Sequence, residues 1–80
     1  MNNKNFHAHA STGNVVEYKS YKIAPVEVTG EGWTAIIRRA NGKPVTCQGV
    51  QNDHFRTMNA ETMEYAIALA KGAIDTQYVI

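Results

Sequence analysis

The sequence has little of the covalent chemistry that usually stabilises a chain of 80 residues. It contains one cysteine, Cys47, so an intramolecular disulfide and a multi-cysteine zinc site are both excluded. A domain this small buries a modest core and is only marginally stable by itself. Self-association is therefore the stabilising device that we expect.

An excess of charge of one sign is also missing. The formal net charge is +1, from eight Lys and Arg against seven Asp and Glu. This balance gives no overall attraction to nucleic acids or membranes, so any basic site has to be local. Residues 1–13 lack the apolar run of a signal peptide, and the longest apolar run, residues 65–70, is far too short to span a bilayer. We therefore expect a cytoplasmic protein with no membrane contact.

The sequence also lacks recognised motifs for catalysis and metal binding. The six glycines are scattered, and none opens a helix in a GxGxxG or P-loop pattern. His7, His9, His54 and Cys47 show no recognised metal-ligand spacing. Cys47 with His54 and an acid is the minimum for a cysteine nucleophile, but Cys47 is predicted to be an inert thiol in the middle of a strand. The sequence thus predicts no enzyme, no catalytic residue, no metal and no cofactor, and it identifies no small-molecule substrate.

What the sequence does contain is a series of short strands followed by a helix. Residues 1–14 are rich in Asn, Ser, Thr, Gly and His, which predicts a flexible tail before a single domain of residues 15–80. The distribution of β-branched residues predicts strands over residues 21–29, 33–39 and 43–50. Gly30-Glu31 suits a type II′ turn and Asn41-Gly42 a type I′ turn, so the three strands are predicted to form one antiparallel sheet.

The helix is predicted over residues 60–75, where polar residues recur at spacings of three, four and seven opposite an apolar stripe. Asn59 is the best N-cap and Thr57 is its rival. Packing the apolar stripe on one face of the sheet gives an α+β domain in the order βββα. The last three residues, Tyr78, Val79 and Ile80, either pair as a short extra strand or pack against the sheet.

The predicted turn at Gly30-Glu31 fixes which residues share a face of the sheet. It sets Val28 opposite Trp33 and Val26 opposite Ala35. The core face then consists of Ala24, Val26, Val28, Trp33, Ala35, Ile37 and Val50. The opposite face, called the outer face, holds apolar residues that an exposed sheet would not normally show. We predict that the outer face is a protein interface, for homodimerisation or for a protein partner, formed by Tyr21, Ile23, Ile36, Arg38 and Val45.

Basic residues collect at one end of the predicted sheet. They are Lys19, Lys22, Arg38, Arg39 and Lys43. Such a cluster can bind phosphates, so nucleic-acid binding is the alternative function. Charges at strand ends also solvate a sheet and protect its edge from pairing, and the net charge of +1 favours that interpretation.

Three segments resemble parts of known families: GWTAIIRR at residues 32–39, NGK at 41–43 and FRTMNAET at 55–62. Their layout resembles the sheet-type DNA-binding domains of tyrosine recombinases and plant GCC-box factors, which insert a three-stranded sheet into the major groove. That resemblance implies that DNA is read by Thr34, Arg38, Val45 and Lys43. The chain also resembles small uncharacterised proteobacterial proteins, and the antitoxin domains that place a helix on a three-stranded sheet after a Thr-x-x-Glu-like cap. This second resemblance implies a bacterial, cytoplasmic protein.

Overall fold

The computed structural model describes residues 13–80, so most of the tail predicted at residues 1–14 lies outside the described residues. The elements follow in the order β1 (Val16–Tyr18), β2 (Tyr21–Val28), β3 (Gly32–Arg39), β4 (Val45–Cys47), β5 (Val50–Asn52), β6 (Phe55–Arg56) and α1 (Met63–Asp75). One antiparallel sheet has the strand order β1-β2-β3-β6, and β4 and β5 form a separate hairpin. The prediction of an α+β domain with an antiparallel sheet and a helix is confirmed. The prediction of three strands in the order βββα is wrong.

Strand β1 was not predicted because its turn lacks the usual sequence signal. Tyr18 pairs with Tyr21, so only Lys19 and Ser20 connect β1 to β2. Their φ angles of 48° and 71° are the left-handed values that a type I′ turn needs at both central positions. Asn and Gly normally supply these angles, and neither is present here.

The loop between β2 and β3 contains three residues, one more than predicted. Val28 pairs with Gly32, and the N–H of Glu31 donates to the carbonyl oxygen of Val28 at 2.8 Å. The predicted pairing of Val28 with Trp33 is therefore wrong by one residue. Because strand side chains alternate, a shift of one residue moves every β2 side chain to the other face relative to β3.

The shifted register decides which residues of β2 form the core. Ile23 lies opposite Ile37, and Pro25 lies opposite Ala35. All four are buried, whereas the residues predicted for the core, Ala24, Val26 and Val28, are only partly buried. The predicted core positions on β3 at Ala35 and Ile37 are confirmed, and those on β2 are wrong.

Helix α1 covers the core with a stripe of mostly small side chains. Ala66, Ala70 and Ile74 are buried at intervals of four residues, which confirms the predicted apolar stripe. The helix begins at Met63, three residues later than predicted, because the hydroxyl of Thr62 is the N-cap and accepts the N–H of Tyr65 at 3.0 Å. The cap predicted at Asn59 is wrong.

The third predicted strand does not return beside β3. At Asn41-Gly42 only Gly42 has a positive φ, 82°, so the type I′ turn does not form there and the chain leaves the sheet. The two-residue turn with left-handed φ angles occurs instead at Gln48-Gly49, with φ of 52° and 80°, where it joins β4 to β5. Val50, predicted for the core, is exposed on β5.

Residues 55–60 occupy the place beside β3. Phe55 pairs with Ile37, and the side-chain hydroxyl of Thr57 then accepts the Ala35 N–H at 2.9 Å, as a backbone carbonyl would in a regular strand. Ala60 forms an isolated bridge with Trp33. Thr57, the rival cap in the sequence, is therefore a sheet residue.

The final residues are paired. Val79 forms an isolated antiparallel bridge with Cys47, and Thr46 and Ile80 exchange N–H···O bonds of 2.7 and 2.9 Å. Of the two alternatives for the last three residues, pairing is therefore the one observed. The partner is β4, so this end of the chain attaches the separate hairpin to the domain.

Candidate functional sites

The five residues of the predicted interface do not share a surface. Ile23 and Val45 are 0% and 1% exposed and belong to the core. Tyr21 is half-buried and packs against that core. Only Ile36, half-buried, and Arg38, exposed, remain on the outer face. The interface prediction therefore depended on a register that the structure does not have.

The outer face of the structure is more basic than predicted. Lys22 pairs with Arg38, and Ala24 pairs with Ile36, which in turn pairs with Arg56. The three cationic residues are exposed, and the two apolar residues between them are half-buried. A face of this composition is a sparse basic surface and not an apolar patch.

Two of the four DNA-reading residues implied by the resemblance are buried. Thr34 is 1% exposed, and its hydroxyl donates to the carbonyl oxygen of Thr57 at 2.7 Å. Val45 is equally buried. Arg38 and Lys43 are exposed, so only these two remain available to a ligand.

The basic cluster predicted at the sheet end is divided in the structure. Lys19 forms an ion pair with Asp75, with Nζ 2.7 Å from Oδ1, and the hydroxyl of Tyr18 donates to the same carboxylate at 2.9 Å. Hydrogen bonds from Lys19 and Tyr18 hold the pKa of Asp75 below its ordinary value, and the bond to Asp75 raises the pKa of Lys19. Lys19 thus ties the β1–β2 turn to the end of α1.

Three other members of the predicted basic cluster line one cavity at the end of β3. We call the cavity that they line the rim groove; its volume is about 370 Å³. It is lined by Arg38, Arg39, Gly42, Lys43, Asp53 and His54. Lys22 is outside this lining and lies opposite Arg38 on the outer face.

A second cavity, the edge groove, lies between strand β6 and helix α1 and has a volume of about 340 Å³. It is lined by Phe55, Arg56, Thr57, Met58, Asn59, Tyr65, Leu69, Ala73 and Tyr78. Large apolar side chains at its margin are unusually exposed: Met58 by 82%, Tyr65 by 57% and Tyr78 by 46%. The rings of Phe55 and Tyr78 meet edge to face, with their centroids 5.6 Å apart.

Sequence reasoning missed the edge groove because the groove depends on β6. A two-residue strand that pairs with a segment almost twenty residues earlier has no periodic signal of its own. The one available clue was Tyr65 and Leu69, which lie four residues apart and widen the apolar side of the helix beyond its buried stripe.

The remaining candidates for chemistry are separated. His7 and His9 lie outside the described residues, His54 lines the rim groove, and Cys47 is a half-buried free thiol. A hydrogen bond to Cys47 raises the pKa of Tyr78. Neither groove contains both Cys47 and His54. Among residues 13–80, no three His, Cys, Asp or Glu side chains are grouped as a metal site would require.

Comparisons with known proteins give no information on the function of these grooves. No protein-family model matches the chain, and no curated protein or solved structure matches it. No helix in the described part of the chain is long and apolar enough to cross a membrane. The two grooves and the elements that form them are therefore the features of the chain that bear on function.

Proposed function

We propose that this protein is a non-catalytic, cytoplasmic binding module whose edge groove takes an extended peptide segment of a partner protein. The observation that carries the proposal is the position of the groove: three exposed large apolar side chains surround a cavity beside the open edge of a sheet. Contiguous exposed apolar groups of this kind are typical of interaction sites.

The open edge offers backbone hydrogen bonds to such a segment. The N–H of Thr57 donates inward to Ala35 at 2.9 Å. Because backbone groups alternate in direction along an antiparallel strand, the N–H and C=O of the preceding residue, Arg56, are directed away from β3. An extended peptide can pair with these groups and so add a short strand to the sheet.

The lining of the edge groove suits apolar side chains at alternate positions of that peptide. Phe55, Leu69 and Ala73 are partly buried and form its inner part, whereas Met58 and Tyr65 stand at its margin. Side chains on one side of an added strand enter the groove, and those on the other side remain in solvent. Aromatic and methionine side chains of this kind commonly provide the central contacts of protein interfaces.

The size and charge of the edge groove favour a peptide over a second copy of the chain. A stable protein–protein interface buries about 800 Å² on each partner. Here the regular edge strand is two residues long and the cavity holds about 340 Å³, which suits a few side chains. Arg56 is the only charged residue in the lining, and its side chain lies on the outer face with Nε 3.4 Å from the Thr34 hydroxyl oxygen, so an acidic residue would be favoured on the solvent-facing side of the peptide.

The test is a display library of ten-residue peptides screened against the wild type and against the double variant Met58→Ser, Tyr65→Ser. We expect the wild type to enrich peptides with apolar residues at alternate positions and an acidic residue among them. A synthetic copy of an enriched peptide should bind at least tenfold more weakly to the double variant than to the wild type. Val50→Ser is the matched control, because Val50 is 59% exposed and lies outside the edge groove.

Two results would overturn the proposal. One is the absence of enrichment, or equal binding of the selected peptide to the wild type and the double variant. The other comes from light scattering: a dimer that the double variant dissociates and Val50→Ser does not would make a second copy of the chain the occupant.

A further inference from the structure

Three cationic side chains in the rim groove have no carboxylate partner. The pair of Lys19 and Asp75 is the one ion pair found within residues 13–80. Arg38, Arg39 and Lys43 therefore form no ion pair there, although Asp53 lines the same cavity. Cationic residues that line one cavity repel one another, and an anion bound in that cavity relieves the repulsion.

The rim groove is held in shape by its own loop. The Nε of Arg39 donates to the carbonyl oxygen of Pro44 at 3.0 Å, and the guanidinium group lies 5.7 Å from the ring centroid of Tyr21. The N–H of Lys43 donates to the side-chain oxygen of Asn41 at 2.9 Å. These contacts fix the loop in advance, so a ligand pays little to order it.

Two further features suit a ligand that approaches closely. Gly42 has a φ of 82°, and a Cβ atom at this position would meet nothing within 4 Å, so the backbone there is accessible. Continuing the β3–β6 register by one residue from the pair of Ile37 and Phe55 sets His54 opposite Arg38. The histidine side chain adds a hydrogen-bond donor on that wall.

We propose that the rim groove binds a phosphate group, as a second site separate from the edge groove. A guanidinium group presents paired N–H donors that match two oxygens of a phosphate, and Lys43 adds a point charge. Three cationic side chains exceed what one carboxylate would neutralise, whereas a phosphate monoester carries nearly two negative charges at neutral pH. The phosphate comes either from a small phosphorylated molecule or from the backbone of a nucleic acid.

The test uses three probes: inorganic phosphate, a nucleoside monophosphate and a ten-nucleotide single strand. Each is titrated into ¹⁵N-labelled protein, and the backbone amide shifts of Gly42, Lys43 and His54 are followed. We expect saturable shifts with inorganic phosphate or the nucleotide. Arg38→Ala and Lys43→Ala should each weaken that binding at least fivefold.

Lys22→Ala is the matched control, because it removes the same charge from the residue opposite Arg38 but outside the rim groove. It should change the binding of inorganic phosphate and the nucleotide by less than twofold. If Lys22→Ala weakens only the binding of the single strand, the nucleic-acid backbone is the source, because a strand would extend across the outer face. If it leaves all binding unchanged, the source is a small phosphorylated molecule.

The proposal fails if none of the probes gives saturable shifts at these amides. It also fails if Lys22→Ala weakens inorganic phosphate as much as Arg38→Ala does, since the binding would then be a general charge effect. Neither result would count against the proposal for the edge groove, because the two cavities share no lining residue.

Discussion

Gly32→Ala is expected to destabilise the protein far more than Gly30→Ala, although both glycines lie in or beside the same loop. Both have left-handed backbone angles, with φ of 91° and 77°. A Cβ atom on Gly32 would overlap the carbonyl oxygen of Ala60, whereas a Cβ atom on Gly30 meets nothing within 4 Å. The two variants share the backbone strain and differ in that overlap.

The expected difference follows from the bonds that the overlap disturbs. A left-handed conformation costs an ordinary residue roughly 1–2 kcal/mol, which is the expected loss for Gly30→Ala. In Gly32→Ala the displaced Ala60 also loses its two hydrogen bonds with Trp33, each 2.7 Å long. At about 1 kcal/mol for each bond, the total loss is about 3–4 kcal/mol. A domain of this size has a total free energy of unfolding of about 4–12 kcal/mol, so the effect is large.

Urea unfolding followed by fluorescence measures this difference directly, because Trp33 is the single tryptophan and lies at the disturbed bridge. With a slope of about 1 kcal/mol per molar urea, the midpoints of the two variants should differ by about 2 M. Equal midpoints would contradict this expectation, since they would mean that residue 60 does not approach Gly32 as the bridge requires.

Two further predictions concern helix α1. Gly72→Ala should raise the free energy of unfolding by about 1 kcal/mol, because the position is helical and has open space for a Cβ atom; a lower thermal midpoint would contradict this. Asp75→Asn should destabilise the fold most between pH 3.8 and 10.5, the ordinary pKa values of Asp75 and Lys19. Folding lowers the pKa of Asp75, so the stabilisation from the ion pair is lost as the pH falls through the folded-state pKa of Asp75. Folding raises the pKa of Lys19, so the same stabilisation is lost as the pH rises through the folded-state pKa of Lys19. Thermal midpoints of variant and wild type should converge at both extremes, and a constant difference from strong acid to strong base would disprove the link.

Features with a local cause were predictable from the sequence. The alternation of Ala35 and Ile37 on β3 and the apolar stripe of α1 both follow from side-chain periodicity, and both are observed. The register of β2 was not predictable in the same way. Gly30 is compatible with a loop of two residues or of three, and that single choice reverses the side of the sheet on which Ile23 lies.

The two candidate sites also differ in whether their contacts are local in the sequence. Arg38, Arg39 and Lys43 are close in sequence around one turn, so their proximity at the rim groove was predictable. The edge groove requires β6 to pair with β3 and Tyr65 to stand beside it, which are contacts between distant segments. Even the partner of Lys19 was unpredictable for this reason, since Asp75 is 56 residues away in the chain.

The hydroxyl of Thr57 limits how long a peptide bound in the proposed way would stay. By accepting the Ala35 N–H in place of a carbonyl, it ends regular pairing after two residues, so an added strand finds only the backbone groups of Arg56 to pair with. So few hydrogen bonds give a fast dissociation rate, and differences in affinity between related complexes arise mainly from that rate. For the proposed peptide, such an edge suits brief, repeated exchange of partners, and it gives little support to the edge-to-edge pairing of strands that leads to aggregation.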